Sequence, residues 1–137
     1  MRRLFAGLAF ACLTLPSLTL PAGAETPLTG DAFDAATVGS SLTYDYGNGI
    51  FGTEEYLADR RVRWAFEGDL CIYGDWYQEG DQICFIYEND PTPACWLYFL
   101  DGGKVRGRYM GEGGGWEIVE SSRSAEPLPC AGPDVGV

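Results

Sequence analysis

The chain has 137 residues, 20 acids against nine lysines and arginines, no histidine, and a formal net charge of −11. That balance argues against nucleic acid as a partner and against charge-driven docking on anionic lipid, because both need basic patches. The missing histidine removes Ser-His-Asp and Cys-His catalysis and every zinc site that uses imidazole.

Residues 1–24 read as a signal peptide. Arg2 and Arg3 form its charged start, Leu4 to Leu20 is apolar, and Ala22-Gly23-Ala24 is a small-residue cleavage site before Glu25. Two other readings compete. A membrane anchor has short length, Pro16 and Pro21 against it; an acylated Cys12 has Ala9 against it, where a lipobox usually carries leucine. Cleavage removes two arginines, so the net charge falls to about −13. Beyond residue 24 no stretch is apolar enough to span a bilayer, so no membrane insertion is expected after cleavage. Four cysteines remain, Cys71, Cys84, Cys95 and Cys130, and an even count behind a secretion signal predicts two disulfides in a periplasmic or secreted protein.

Residues 25–39 form a leader. Within it, Thr29 to Ala36 predicts one or two helical turns, capped by Thr29 or Gly30, with Asp31 at the positive end of the dipole and Phe33 as the core anchor. Short runs and turn clusters then alternate through residues 40–120. Leu42, Tyr44 and Tyr46 share a face that ends at Gly47-Asn48-Gly49. Phe51 to Leu57 is the next run. Val62, Trp64 and Phe66 share a period-2 face, with Arg61, Arg63 and Ala65 opposite. Cys71 to Tyr77, Ile83 to Tyr87, Cys95 to Leu100, Lys104 to Met110 and Trp116 to Glu120 complete the series. Residues 121–137 read as an irregular tail tethered by Cys130.

Seven or eight short strands joined by tight turns predict an all-β antiparallel meander, either a curled sheet or a small lipocalin-like barrel. The runs Ile83–Tyr87 and Ala94–Leu100 are apolar on both faces, which fits a closed surface with one face inside and the other covered by leader or tail. With the hairpin turn at Glu88–Pro91, Cys84 falls opposite Cys95, a separation a disulfide can bridge. Cys71 and Cys130 then pair by elimination.

The central block carries Glu55-Tyr56, Trp64, Gly74-Asp75-Trp76, Cys84-Phe85-Ile86-Tyr87 and Cys95-Trp96. This pattern resembles a family of short secreted proteobacterial proteins of unknown function, over roughly residues 27–100. The resemblance implies an exported β domain and transfers no catalytic residue. Gly74-x-Trp76 is also similar to the motif that opens the first barrel strand of lipocalins, although here it stands mid-chain.

Carboxylate pairs drawn from Glu54, Glu55, Asp59 and Asp75 are the one route left to a hydrolase. Glu79-Gly80-Asp81 and Glu88-Asn89-Asp90 offer oxygen ligands without EF-hand spacing, and turn chemistry explains them. No cofactor is implied. Trp64, Trp76, Tyr77, Tyr87, Trp96 and Tyr98 fall on neighbouring strands, so they predict either a packed core or a platform for a ligand. Trp76, Tyr77 and Trp96 are the candidate ligand contacts, with Arg61 and Arg63 as polar partners. The expectation is a secreted, non-enzymatic binding or accessory module of the cell envelope, its partner a small ligand or an envelope protein. A periplasmic protease inhibitor that uses the leader, and a small carboxylate hydrolase, are the alternatives.

Overall fold

The computed structural model describes residues 25–130, so the signal-peptide reading and residues 131–137 lie outside it. Helix α1 (Gly30–Thr37) starts where Thr29 Oγ1 accepts the Ala32 N–H at 3.2 Å. Eight strands follow: β1 (Ser41–Asp45), β2 (Phe51–Tyr56), β3 (Arg61–Phe66), β4 (Ile72–Glu79), β5 (Gln82–Tyr87), β6 (Asp90–Asp101), β7 (Lys104–Tyr109) and β8 (Glu117–Ser124). Each pairs antiparallel with the next, and β8 returns to β1, closing a barrel. Among the described residues every strand has a neighbour on both sides, so the sheet has no edge strand.

Alternation along the strands decides what lies inside. Leu42 and Tyr44, Glu54 and Tyr56, and Val62 and Trp64 face inward, as do Trp76, Ile83, Phe85, Trp96, Tyr98, Val105 and Ile118. An eight-stranded barrel has an interior that side chains just fill, and this one is filled mostly by aromatic rings. The outer face of β6 is covered at Phe99, which is 5% exposed, whereas Ile86 on the outer face of β5 remains 39% exposed. Phe99 lies under the Arg106 and Arg108 guanidiniums at 4.6 and 5.5 Å. The leader runs along the same wall, with Leu28 N–H bonded to Tyr98 O at 2.7 Å and Glu25 paired with Arg106.

The two ends of the barrel differ. At one, α1 plugs the opening and sinks Phe33 completely, with its ring against Tyr56, Trp76, Phe85 and Tyr98 at 4.5–6.3 Å. Gly30 N–H donates to Gln78 Oε1 at 2.7 Å, and a Cβ at Gly30 would strike that side chain, so the helix start seats closely on β4. The other end, here called the mouth, is bounded by the turns at residues 46–50, 67–71, 88–89 and 110–116.

Both cysteine pairs are at bonding distance. Cys84 and Cys95 are register partners across β5 and β6 with Cα atoms 4.0 Å apart; Cys71 and Cys130 have Cα atoms 5.3 Å apart. Two elements run further than their composition suggests. Strand β6 begins at Asp90 and includes Pro91 and Pro93. Its pairing with β7 starts only at Trp96, so the prolines lie where that neighbour asks for no ladder hydrogen bond. Strand β8 continues through Ser121–Ser124, where the sequence reads as tail, because β1 supplies a partner: Ser41 pairs with Ser124 and Thr43 with Ser122, after a bulge between Thr43 and Tyr44.

Candidate functional site

The mouth is built from aromatic residues at the ends of several strands. The Tyr46 ring lies 5.7 Å from both Trp64 and Phe66 and 6.0 Å from Trp116. Trp116 stands edge-on to Trp96 at 5.1 Å, and Tyr109 touches both indoles at 5.0 and 5.1 Å. Together the rings form a platform across the barrel. Its rim is also apolar: Phe66 and Trp116 are each 42% exposed, Leu70 is 66% exposed, and Ile50 and Met110, in two of the bounding turns, are exposed as well. Gly52 makes room for the platform, since a Cβ there would overlap the Trp64 ring.

Beneath the platform lies Glu54, 4% exposed and paired in register with Trp64 across β2 and β3. Tyr87 Oη donates to Glu54 Oε2 at 2.9 Å. Glu54 Oε1 is buried without a hydrogen-bond partner. A buried carboxyl oxygen left this way is costly and uncommon. Burial drives the Glu54 pKa well above the ordinary carboxylate value, against the smaller lowering effect of the Tyr87 hydrogen bond. Below it, the Tyr44 and Tyr56 hydroxyls bond each other at 2.8 Å, and burial holds both phenols above their usual pKa.

The residues singled out from sequence part company here. Trp96 belongs to the mouth. Trp76 does not: it is 3% exposed, stands edge-on to Phe33 at 5.2 Å, and carries the Arg60 guanidinium 4.7 Å over its ring. It sits late in β4, and β4 runs from the mouth towards the plugged end, so a residue before that turn meets α1 and not the opening. Tyr77, Arg61 and Arg63 stand on the outer wall. Arg63 binds Glu55 and donates to Leu128 O at 3.4 Å, while Leu128 N–H donates to the same Glu55 carboxylate at 3.0 Å. That node docks the C-terminal segment. Arg61 borders a wall depression of about 260 Å³ shared with Tyr73, Asp75 and Glu88.

The four acids considered for hydrolysis are dispersed. Glu54 is inside the barrel, Glu55 faces out to Arg63, and Asp59 and Asp75 are exposed elsewhere. The acidic loops hold turns: Asp90 Oδ1 accepts the Thr92 N–H at 2.9 Å, and Glu88 Oε1 accepts from Tyr73 at 3.3 Å. Glu79 approaches Cys84 and Cys95, but both sulfurs are committed to the disulfide and offer no thiolate. A second groove, of about 420 Å³, runs outside the barrel between Thr43, Thr53, Ser122 and the Pro127–Pro129 segment. Its hydroxyls largely satisfy each other and the backbone, as in Thr43 with Thr53 at 2.8 Å and Ser41 with Glu126 O at 2.8 Å.

Sequence reasoning missed Glu54 as a buried group and Tyr46, Phe66, Tyr109 and Trp116 as one cluster. Parity was the available signal for Glu54, which shares its face with Gly52 and Tyr56. Comparison with protein-family models, curated proteins and solved structures gives no match for this chain. The disulfides fit an oxidising, non-cytoplasmic compartment. Among the described residues no helix is long and apolar enough to cross a membrane.

Proposed function

We propose that this protein is a secreted, periplasmic binding module of the cell envelope, without enzymatic activity, that takes a small ligand on the aromatic platform at the barrel mouth. The observation that carries the reading is the difference between the two ends. One end spends a helix and a fully buried phenylalanine on sealing the barrel; the other leaves Phe66, Leu70 and Trp116 facing solvent above a ring cluster. Contiguous exposed apolar surface rimmed by polar turns is the kind of surface that interaction sites use. The leader, bonded along the wall through Leu28 and Glu25, is not held out as an inhibitory segment would be. Membership of the secreted proteobacterial family remains part of this proposal and adds only the address.

Native mass spectrometry of the protein purified from its own envelope tests it. Wild type should carry a dissociable small-molecule adduct that Trp116→Ala loses while melting within a few degrees of wild type. Co-purification with a macromolecule alone, undisturbed by Trp116→Ala, overturns the reading.

A further inference from the structure

We propose that the ligand of the mouth is an organic ammonium ion with an apolar body, its body on the aromatic platform and its N–H groups directed at Glu54 Oε1. The inference rests on the mouth being the binding site and adds the chemistry of what binds there.

Three independent features converge on a cation. The first is the platform: the faces of indole and phenol rings carry negative charge density and attract ammonium groups. Trp64, Tyr46 and Trp116 offer such faces, with Tyr46 within 6.0 Å of both indoles. The second is the charge around it. Glu67, Asp69, Glu88 and Glu112 stand in three of the four mouth turns, and no lysine or arginine stands in any of them. The cations of residues 25–130 lie instead on the barrel wall or towards the plugged end, where Arg60, Arg63, Arg106, Arg108 and Arg123 are already ion-paired. A rim of one sign gathers ligands of the other. An anionic or strongly polar ligand would meet both repulsion and an apolar floor.

The third is the orphaned oxygen. Glu54 Oε2 has its donor in Tyr87, whereas Oε1 has none, deep in a site where an unmade hydrogen bond costs most. A ligand N–H⁺ supplies the missing donor, and its positive charge beside the carboxyl favours loss of the Glu54 proton and formation of the ion pair. Trp64 is the intervening group. Its ring lies over Gly52, one inward-facing position towards the mouth from Glu54, and is only half-buried. In the proposed complex that ring moves outward, and the space over Gly52, which carries no side chain, becomes the amine's approach to the carboxyl.

Three probes of matched shape test the class: 2-phenylethylamine, protonated at pH 7; propylbenzene, its uncharged isostere; and phenylacetamide, a neutral amide that offers N–H donors without the charge. Titrations followed by tryptophan fluorescence and calorimetry should show saturable binding of the amine, about tenfold tighter than either neutral probe. Glu54→Gln should erase that preference while retaining the far-ultraviolet spectrum of wild type. Should Glu54→Gln fail to fold, the surface pair Glu67→Gln with Asp69→Asn tests the same charge preference: amine affinity should fall about two- to threefold and propylbenzene affinity should not change. Tighter or equal binding of propylbenzene or phenylacetamide at the mouth overturns the ammonium inference and leaves the mouth as a binding site. No saturable binding of any probe, with no adduct on the native protein, overturns both.

Discussion

The Tyr87 hydroxyl holds one oxygen of Glu54 at 2.9 Å and leaves the other unpartnered inside the barrel. That relationship has a thermodynamic sign. Glu54 has its pKa raised by burial, and the phenols around it, Tyr44, Tyr46, Tyr56, Tyr87 and Tyr98, are raised too and stay neutral across the acid and neutral range. Glu120, the other inward carboxylate, is shifted the opposite way: the bonds from Arg123 and Val105 outweigh its burial.

The pH dependence of stability follows. Between the unfolded value near 4.5 and the raised folded value, the native Glu54 keeps its proton and the unfolded chain releases it. The contribution of Glu54 is therefore full below the unfolded pKa and is lost as pH rises through the folded one. Glu54→Gln removes this titration and keeps a group that Tyr87 can bond. Urea unfolding of both proteins from pH 4 to pH 8 should show the variant gaining on wild type with rising pH, at up to about 1.4 kcal/mol per pH unit. Glu120 titrates in both proteins and cancels. A wild type that gains on the variant as pH rises would reverse the assignment.

Gly52 is predicted to be intolerant of any side chain. Its backbone is extended, so the constraint is space: a methyl group there would overlap the Trp64 ring. Gly52→Ala should cost about 1–3 kcal/mol through forced repacking. Adding Trp64→Leu should recover part of that loss, so the double variant should be more stable than the sum of the single changes implies. Strict additivity in thermal melts would mean the two positions do not share the space.

Much of this architecture is legible in the chain, for a physical reason. Period-2 alternation at Leu42, Tyr44 and Tyr46 and at Val62, Trp64 and Phe66 reports which face is buried. The Cys84–Cys95 pair fixes a register because a disulfide accepts few geometries. Thr29 and Phe33 announce a capped, anchored helix. What alternation does not carry is the order of things in space. Trp64 and Trp76 look alike along the chain, yet one roofs the mouth and the other lies under α1, because adjacent strands run in opposite directions and only one end receives the helix. The doubly apolar runs Ile83–Tyr87 and Ala94–Leu100 point to closure, but not to the strands that make it, since the partner that makes Ser121–Ser124 a strand lies far earlier in the chain, at Ser41–Thr43. Glu54 shares parity with Tyr56, but a glutamate in an acidic chain reads as solvated until its neighbours are known.

The two disulfides should differ in what they contribute. Cys84–Cys95 spans 11 positions inside one hairpin; Cys71–Cys130 spans 59 and ties the C-terminal segment to the barrel. Constraint of the unfolded chain grows with the logarithm of loop length, so Cys71→Ser with Cys130→Ser should cost about 1–2 kcal/mol more than Cys84→Ser with Cys95→Ser. Denaturant titration of the two double variants measures the difference. A larger loss from opening the hairpin bridge would show that native packing around Cys84 outweighs chain entropy.

The plug should be separable from the mouth. Phe33 is fully buried between Tyr56, Trp76, Phe85 and Tyr98, and α1 has no other large side chain in the core. Truncating it removes the contacts of a whole ring and leaves a cavity that the closed barrel cannot collapse to fill. Phe33→Ala should therefore cost about 3–5 kcal/mol. The loss should also fall unevenly along the chain. The Leu28 amide, bonded to Tyr98, and the Phe33 and Val38 amides of α1 should lose hydrogen-exchange protection first. Amides of the mouth strands, such as Tyr109 bonded to Trp116, should keep most of theirs at pH and temperature where the variant stays folded. Uniform loss of protection from α1 to the mouth would mean that helix and barrel open as one unit, and that the plug is part of the core and not a separate seal.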